Sequence, residues 1–99
     1  MNKRTTPKRK ELLQKAIDVT CKSRQAEYGT PKENLENTAA LWNAYLTTKF
    51  DLHPDDFLTA EDVAWFNTLQ KISRTAHGKA GDDTYLDAAA YAAIAGEVR

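Results

Sequence analysis

Two carboxylates one helical turn apart, Asp83 and Asp87, open an alanine-rich stretch near the end of the chain. Asp87 is the only charged residue between Asp83 and Glu97. At 100° per residue, Leu86, Ala89, Ala90, Ala93 and Ile94 cover one face of a helix there, and Tyr85, Ala88 and Ala92 cover the other. A helix apolar nearly all round is packed on several sides. Desolvating a lone carboxylate inside a protein costs several kcal/mol, so Asp87 needs a cation, a metal or a ligand beside it. The i,i+4 spacing of Asp83 and Asp87 also suits Mg²⁺, which takes one or two carboxylates together with substrate phosphates and water.

Three cations are candidates to meet these acids. Arg24 continues the apolar stripe of an earlier segment and so points inward, with Tyr28 and Tyr91 as hydroxyl neighbours of an Arg24–Asp87 pair. Such a pair fixes helix register, or else it lines a cleft and recognises a phosphate. Lys71 and Arg74, three residues apart, could clamp a phosphate together, although their phase puts them away from the bulky face of their own segment. Asn34 follows a turn and could add a polar contact to the same ligand. Glu33 and Glu36 form a second acidic pair, but Glu33 has a capping role; Asp62, toward the inner face of its helix, joins the candidate acids, although an acid in the first turn is also electrostatically sensible. His53 and His77 lack metal-ligand spacing, and Cys21 has no base near it in sequence. There is no glycine-rich phosphate loop, nucleophile elbow or zinc motif.

Composition sets the frame for these residues. Ninety-nine residues make one domain, 1–99, with 28% charged and 41% hydrophobic residues. No apolar run suits a membrane span, the basic N-terminus leads into no secretory signal, and a single cysteine excludes an internal disulfide and suits a reducing cytoplasm. The net charge of zero hides a balance of +5 over residues 1–27 and −5 over the rest. Residues 1–6 read as a flexible basic arm. Without interleaved aromatics, that arm makes nucleic-acid binding the least favoured function.

Start and stop signals divide the chain into four helical segments, predicting an all-α, compact four-helix bundle with short connections. Thr6-Pro7 starts the first helix, with Leu13, Ile17 and Thr20 on its inner face and Leu12 and Ala16 beside them, and Gly29 ends it. Thr30-Pro31-Lys32-Glu33 opens the second, with Leu35, Thr38, Ala39, Trp42 and Leu46 inward. Residues 47–58 read as a loop with Phe50, Leu52 and Phe57 as hydrophobic anchors. Thr59 caps a third helix whose predicted inner face is Trp65, Phe66, Leu69, Ile72 and Ala76. Asp82 or Asp83 is expected to cap the fourth.

Taken in order, Arg24…Tyr28-Gly29, Pro31…Asn34, Leu41-Trp42, Asp62-Val63, Lys71…Arg74 and Asp83…Asp87…Tyr91 resemble a small phage and prophage family of helical proteins. The likeness spans about residues 12–96 and implies a virus-derived accessory protein in the bacterial cytoplasm. A more distant similarity is to MazG-like all-α nucleoside triphosphate pyrophosphohydrolases, oligomeric bundles that hold Mg²⁺ on an E-x-x-E and an E-x-x-D pair. Glu33/Glu36 and Asp83/Asp87 are the counterparts here, the second with different spacing and no glutamate.

The sequence therefore carries two function classes. The first is binding of a nucleotide or other phosphorylated ligand, extended to Mg²⁺-dependent pyrophosphohydrolysis. Arg24, Tyr28, Asn34, Lys71, Arg74, Asp87 and Tyr91 would contact the ligand, and Asp83 and Asp87 would hold the metal. The second is a non-catalytic module, expected to be a homo-oligomer, that binds a host or viral protein, with Phe50, Leu52 and Phe57 helping to form the interface.

Overall fold

Backbone capping sets where each helix begins. The computed structural model describes residues 6–23 and 29–99, which hold four α-helices: α1 (Lys8–Asp18), α2 (Pro31–Phe50), α3 (Ala60–Thr75) and α4 (Asp82–Val98). Among the described residues there is no strand, and the fold is the all-α bundle expected from the sequence.

At α2 the Thr30 hydroxyl oxygen accepts the Glu33 backbone N–H at 3.3 Å, with Pro31 in the first turn. At α3 the box is reciprocal: the Asp62 N–H donates to Thr59 Oγ1 at 3.3 Å, and the Thr59 N–H donates to Asp62 Oδ2 at 2.9 Å. Asp62 is thus occupied by helix initiation. The fourth helix departs from expectation. Its cap is Gly81, with no side-chain cap bond, and Asp82 instead receives a hydrogen bond from Lys8 Nζ at 2.8 Å, tying α1 to α4. The ammonium beside Asp82 holds its carboxyl below the usual carboxylate range, and the same bond raises the Lys8 pKa.

Residues 47–50 are helical rather than looped, because α2 runs to Phe50 and stops where Asp51 turns left-handed at φ 55°. The connection that follows contains one 3-10 turn, Pro54–Asp56, in which His53 Nδ1 accepts the Asp55 N–H. Buried Asn43 anchors it. Asn43 Nδ2 donates to the Leu58 carbonyl at 3.0 Å, and the Leu58 N–H donates back to Asn43 Oδ1 at 2.8 Å.

The last helix is central, as its apolar circumference implies: α4 packs along α3 and also touches α1 and α2. Two small cores lie along it. Leu86 and Ala90 meet Ala16 and Leu12 of α1, while Ala95, Ile94 and Val98 meet Leu35 and Ala39 of α2 with Ala60, Val63 and Ala64 of α3.

The packed face of α3 differs from the predicted one. Ala60, Val63, Ala64 and Thr68 are buried, whereas Trp65, Phe66, Leu69, Ile72 and Ala76 are exposed. Small side chains let α3 approach an alanine-rich α4 closely, and the bulky residues occupy the opposite side of the same helix. Similar reversals affect Leu13 and Ile17, which stay about half exposed while Ala16 is buried, and Trp42, which lies at the rim of its face.

Candidate functional site

Asp87 and Lys71 form the centre of the site. Lys71 Nζ lies 3.2 Å from Asp87 Oδ2, and the two side chains are 16% and 15% exposed, so the pair is largely but not wholly withdrawn from water. Lys71 reaches this position because it extends the small-residue face of α3: positions 60, 63, 64, 67, 68 and 71 follow the i, i+3, i+4, i+7 repeat. Lys71 therefore lies on the packed side of its helix, contrary to the phase read from the bulky residues. The unmet need of Asp87 for a cation is answered from the neighbouring helix.

Asp87 lines a cleft of about 440 Å³, within the range of small-molecule sites, and Lys71 adjoins it through Asp87. Thr20 lies on one side of it, in the π-helical turn Val19–Ser23 that continues α1, with its hydroxyl donating to the Ala16 carbonyl at 2.7 Å. Gly29, Pro31, Asn34 and Leu35 come from the start of α2, and Asn67 from α3. Asp87, Ala90, Tyr91 and Ile94 complete the wall from α4. Polar groups from three helices thus converge above an apolar floor of Leu35, Ala90 and Ile94.

Three of the predicted ligand residues, Asn34, Asp87 and Tyr91, share this wall, and Lys71 joins them through Asp87. Arg24 and Tyr28 lie outside the described residues, in the stretch between Thr20 and Gly29, both of which line the cleft. Arg74 is exposed in the last turn of α3 and does not line it. Asp83 borders a second depression of about 320 Å³ with Lys15, Asp18, Val19, Leu86 and Asp87, so Asp87 stands between the two concavities. Glu36 borders a different groove, beside the 51–59 connection, and the Glu33 carboxylate receives the Thr30 hydroxyl at 2.8 Å. Among the described residues, no group of three or more His, Cys, Asp or Glu side chains is placed to hold a metal ion.

Thr20 and Asn67 were not foreseen. For Asn67 the signal was available, since it stands four residues before Lys71 on the same face of α3. Its carboxamide makes no hydrogen bond within the described residues.

Two comparisons place the chain among known proteins. The family model described as a domain of unknown function, DUF6378, matches residues 11–99. The Gene 55 protein of Mycobacterium phage L5 is 36% identical over 84 residues, covering 84% of this chain and 49% of that protein. The chain thus spans about half the length of that curated relative. No solved structure matches. Within the described residues, no helix is long and apolar enough to cross a membrane. The match over nearly the whole chain, together with the phage relative, establishes that this protein belongs to the DUF6378 family.

Proposed function

We propose that the cleft binds a small phosphorylated ligand of the nucleotide class, in the host cytoplasm where a phage protein of this kind would act. The observation that carries this reading is that Asp87, paired with Lys71, lines an open cleft that also presents Asn34, Asn67 and Tyr91. An ammonium held by one carboxylate keeps donors free for a phosphate oxygen. Carboxamides and a phenol suit the edge of a base or a sugar, and Leu35 and Ile94 suit the face of a ring. Arg24 and Tyr28 remain candidate contacts from the adjoining stretch, and Arg74 would add charge only from outside the cleft.

Catalysis is a further step. Asp83 and Asp87 would hold Mg²⁺ only with the help of the ligand's own phosphate oxygens, because the described residues offer no complete metal site. The reading proposed is therefore binding, with pyrophosphohydrolysis as the activity to assay. A second reading, the non-catalytic oligomeric module, draws on the exposure of Phe50 (63%) and Phe57 (42%).

Melting the protein against nucleoside mono-, di- and triphosphates, with and without Mg²⁺, separates the two. A ligand at ten times its Kd stabilises the native state by about 1.4 kcal/mol, a rise of several degrees for a domain of this size. That rise is expected for at least one member of the panel and should vanish in Lys71→Met. A flat response across the whole panel would sink the binding reading and leave the interaction module. Mg²⁺-dependent release of pyrophosphate that disappears in Asp87→Asn would extend binding to hydrolysis.

A further inference from the structure

The side of α3 opposite the cleft carries Trp65, Leu69 and Ile72 at i, i+4 and i+7, the spacing of a helix-packing seam, and they are 43%, 57% and 52% exposed. Phe66 stacks on Trp42 of α2 with ring centroids 5.9 Å apart, and Leu41 and Tyr45 beside Trp42 are 72% and 65% exposed. Meanwhile the buried apolar residues are mostly alanines, and Val63 is the only large one under 2% exposed among those described. Among the described residues, most bulky apolar groups lie outside, Leu35 and Leu86 being buried exceptions, and the inside is mostly alanine.

We infer that the α2–α3 face packs against the same face of a second copy of this chain, forming a two-fold dimer. The area fits. Side chains of these sizes and exposures present roughly 700 Å² of apolar surface, against about 800 Å² per partner in a standard interface and 300–600 Å² for the largest patch on a typical monomer. The charge fits as well. The stripes themselves carry no charged side chain, and Glu61, one turn before Trp65, accepts its indole N–H at 3.1 Å, so the face offers no basic cluster to nucleic acid or anionic lipid. Because Asn67 and Lys71 lie on the other side of α3, the dimer leaves the cleft open.

Sedimentation equilibrium of the full chain tests this. Wild type is expected at twice the 11.1 kDa chain mass, with a melting temperature that rises with protein concentration. Leu69→Glu should sediment as a monomer, while Tyr85→Glu, exposed on α4 and outside the face, should remain dimeric. Both tryptophans of the chain lie on the face, so their emission should shift to the red as wild type dissociates on dilution. Should Leu69→Glu fail to fold, the concentration dependence of the wild-type melt and of its emission still decides the matter. A wild-type chain that stays at 11.1 kDa with a concentration-independent melt overturns the proposal, as does a Leu69→Glu chain that folds and remains dimeric.

Discussion

At the scale of single residues, two polar contacts withdrawn from water tie separate parts of the chain together, Lys71 with Asp87 and Asn43 with Leu58. Lys71 and Asp87 are partly withdrawn from water, so removing either leaves the other charged and poorly solvated. Lys71→Met and Asp87→Leu are each expected to cost about 1–3 kcal/mol in urea unfolding, whereas the double substitution should cost clearly less than their sum. Strict additivity would show that the pair does not couple. Asn43 has a structural task, satisfying both the N–H and the carbonyl of Leu58. Asn43→Ala should lose about 1–3 kcal/mol, with faster amide exchange at Leu58 as the local signature. The sequence points to Asp87, but the phase of the largest side chains of α3 turns Lys71 away from it. Asn43 went unnoticed because an asparagine in the middle of a helix is usually a surface residue; its partner lies 15 positions away and is backbone.

Among the helices, the ones with strong terminal signals were legible and the one with two apolar sides was misread. Thr30-Pro31 and Thr59 with Asp62 mark the starts of α2 and α3 through hydrogen bonds local to each turn, so sequence alone suffices. Which side of α3 packs depends on α4, whose alanines admit only small partners, and no property local to α3 records that. The same holds for Asp82, which looked like a cap but bonds to Lys8, 74 positions away. That contact makes the docking of α1 depend on pH. The Asp82 pKa is lowered, so its contribution is present above the unfolded value and is lost as pH falls through the folded one; the Lys8 pKa is raised, so its share is lost only at strongly alkaline pH. Acidification below about pH 4 should therefore weaken the docking of α1 on α4, seen as faster amide exchange in α1. Asp82→Asn should remove that acid-side weakening. Both groups are exposed, so the effect is small and shrinks with added salt.

For the molecule as a whole, fold and stability are spread unevenly. A radius of gyration of 16.3 Å exceeds the roughly 13 Å of a compact hundred-residue domain, and the extents of 62 × 32 × 20 Å describe an elongated body. Such a shape limits the core a single chain can bury. If the second copy supplies the missing burial, denaturant midpoints should rise with protein concentration, and the Leu69→Glu chain should unfold at lower urea than wild type at any concentration. The central position of α4 has a consequence for biosynthesis. The residues on which α1 docks, Leu86 and Ala90, are translated only after α1, α2 and α3 have all been made. A nascent chain thus carries α1 without its docking surface until α4 emerges, whereas α2 and α3 can already meet through Trp42 and Phe66. Docking of α1 therefore waits until residues 82–98 have left the ribosome, and Leu12 and Ala16 stay uncovered until then.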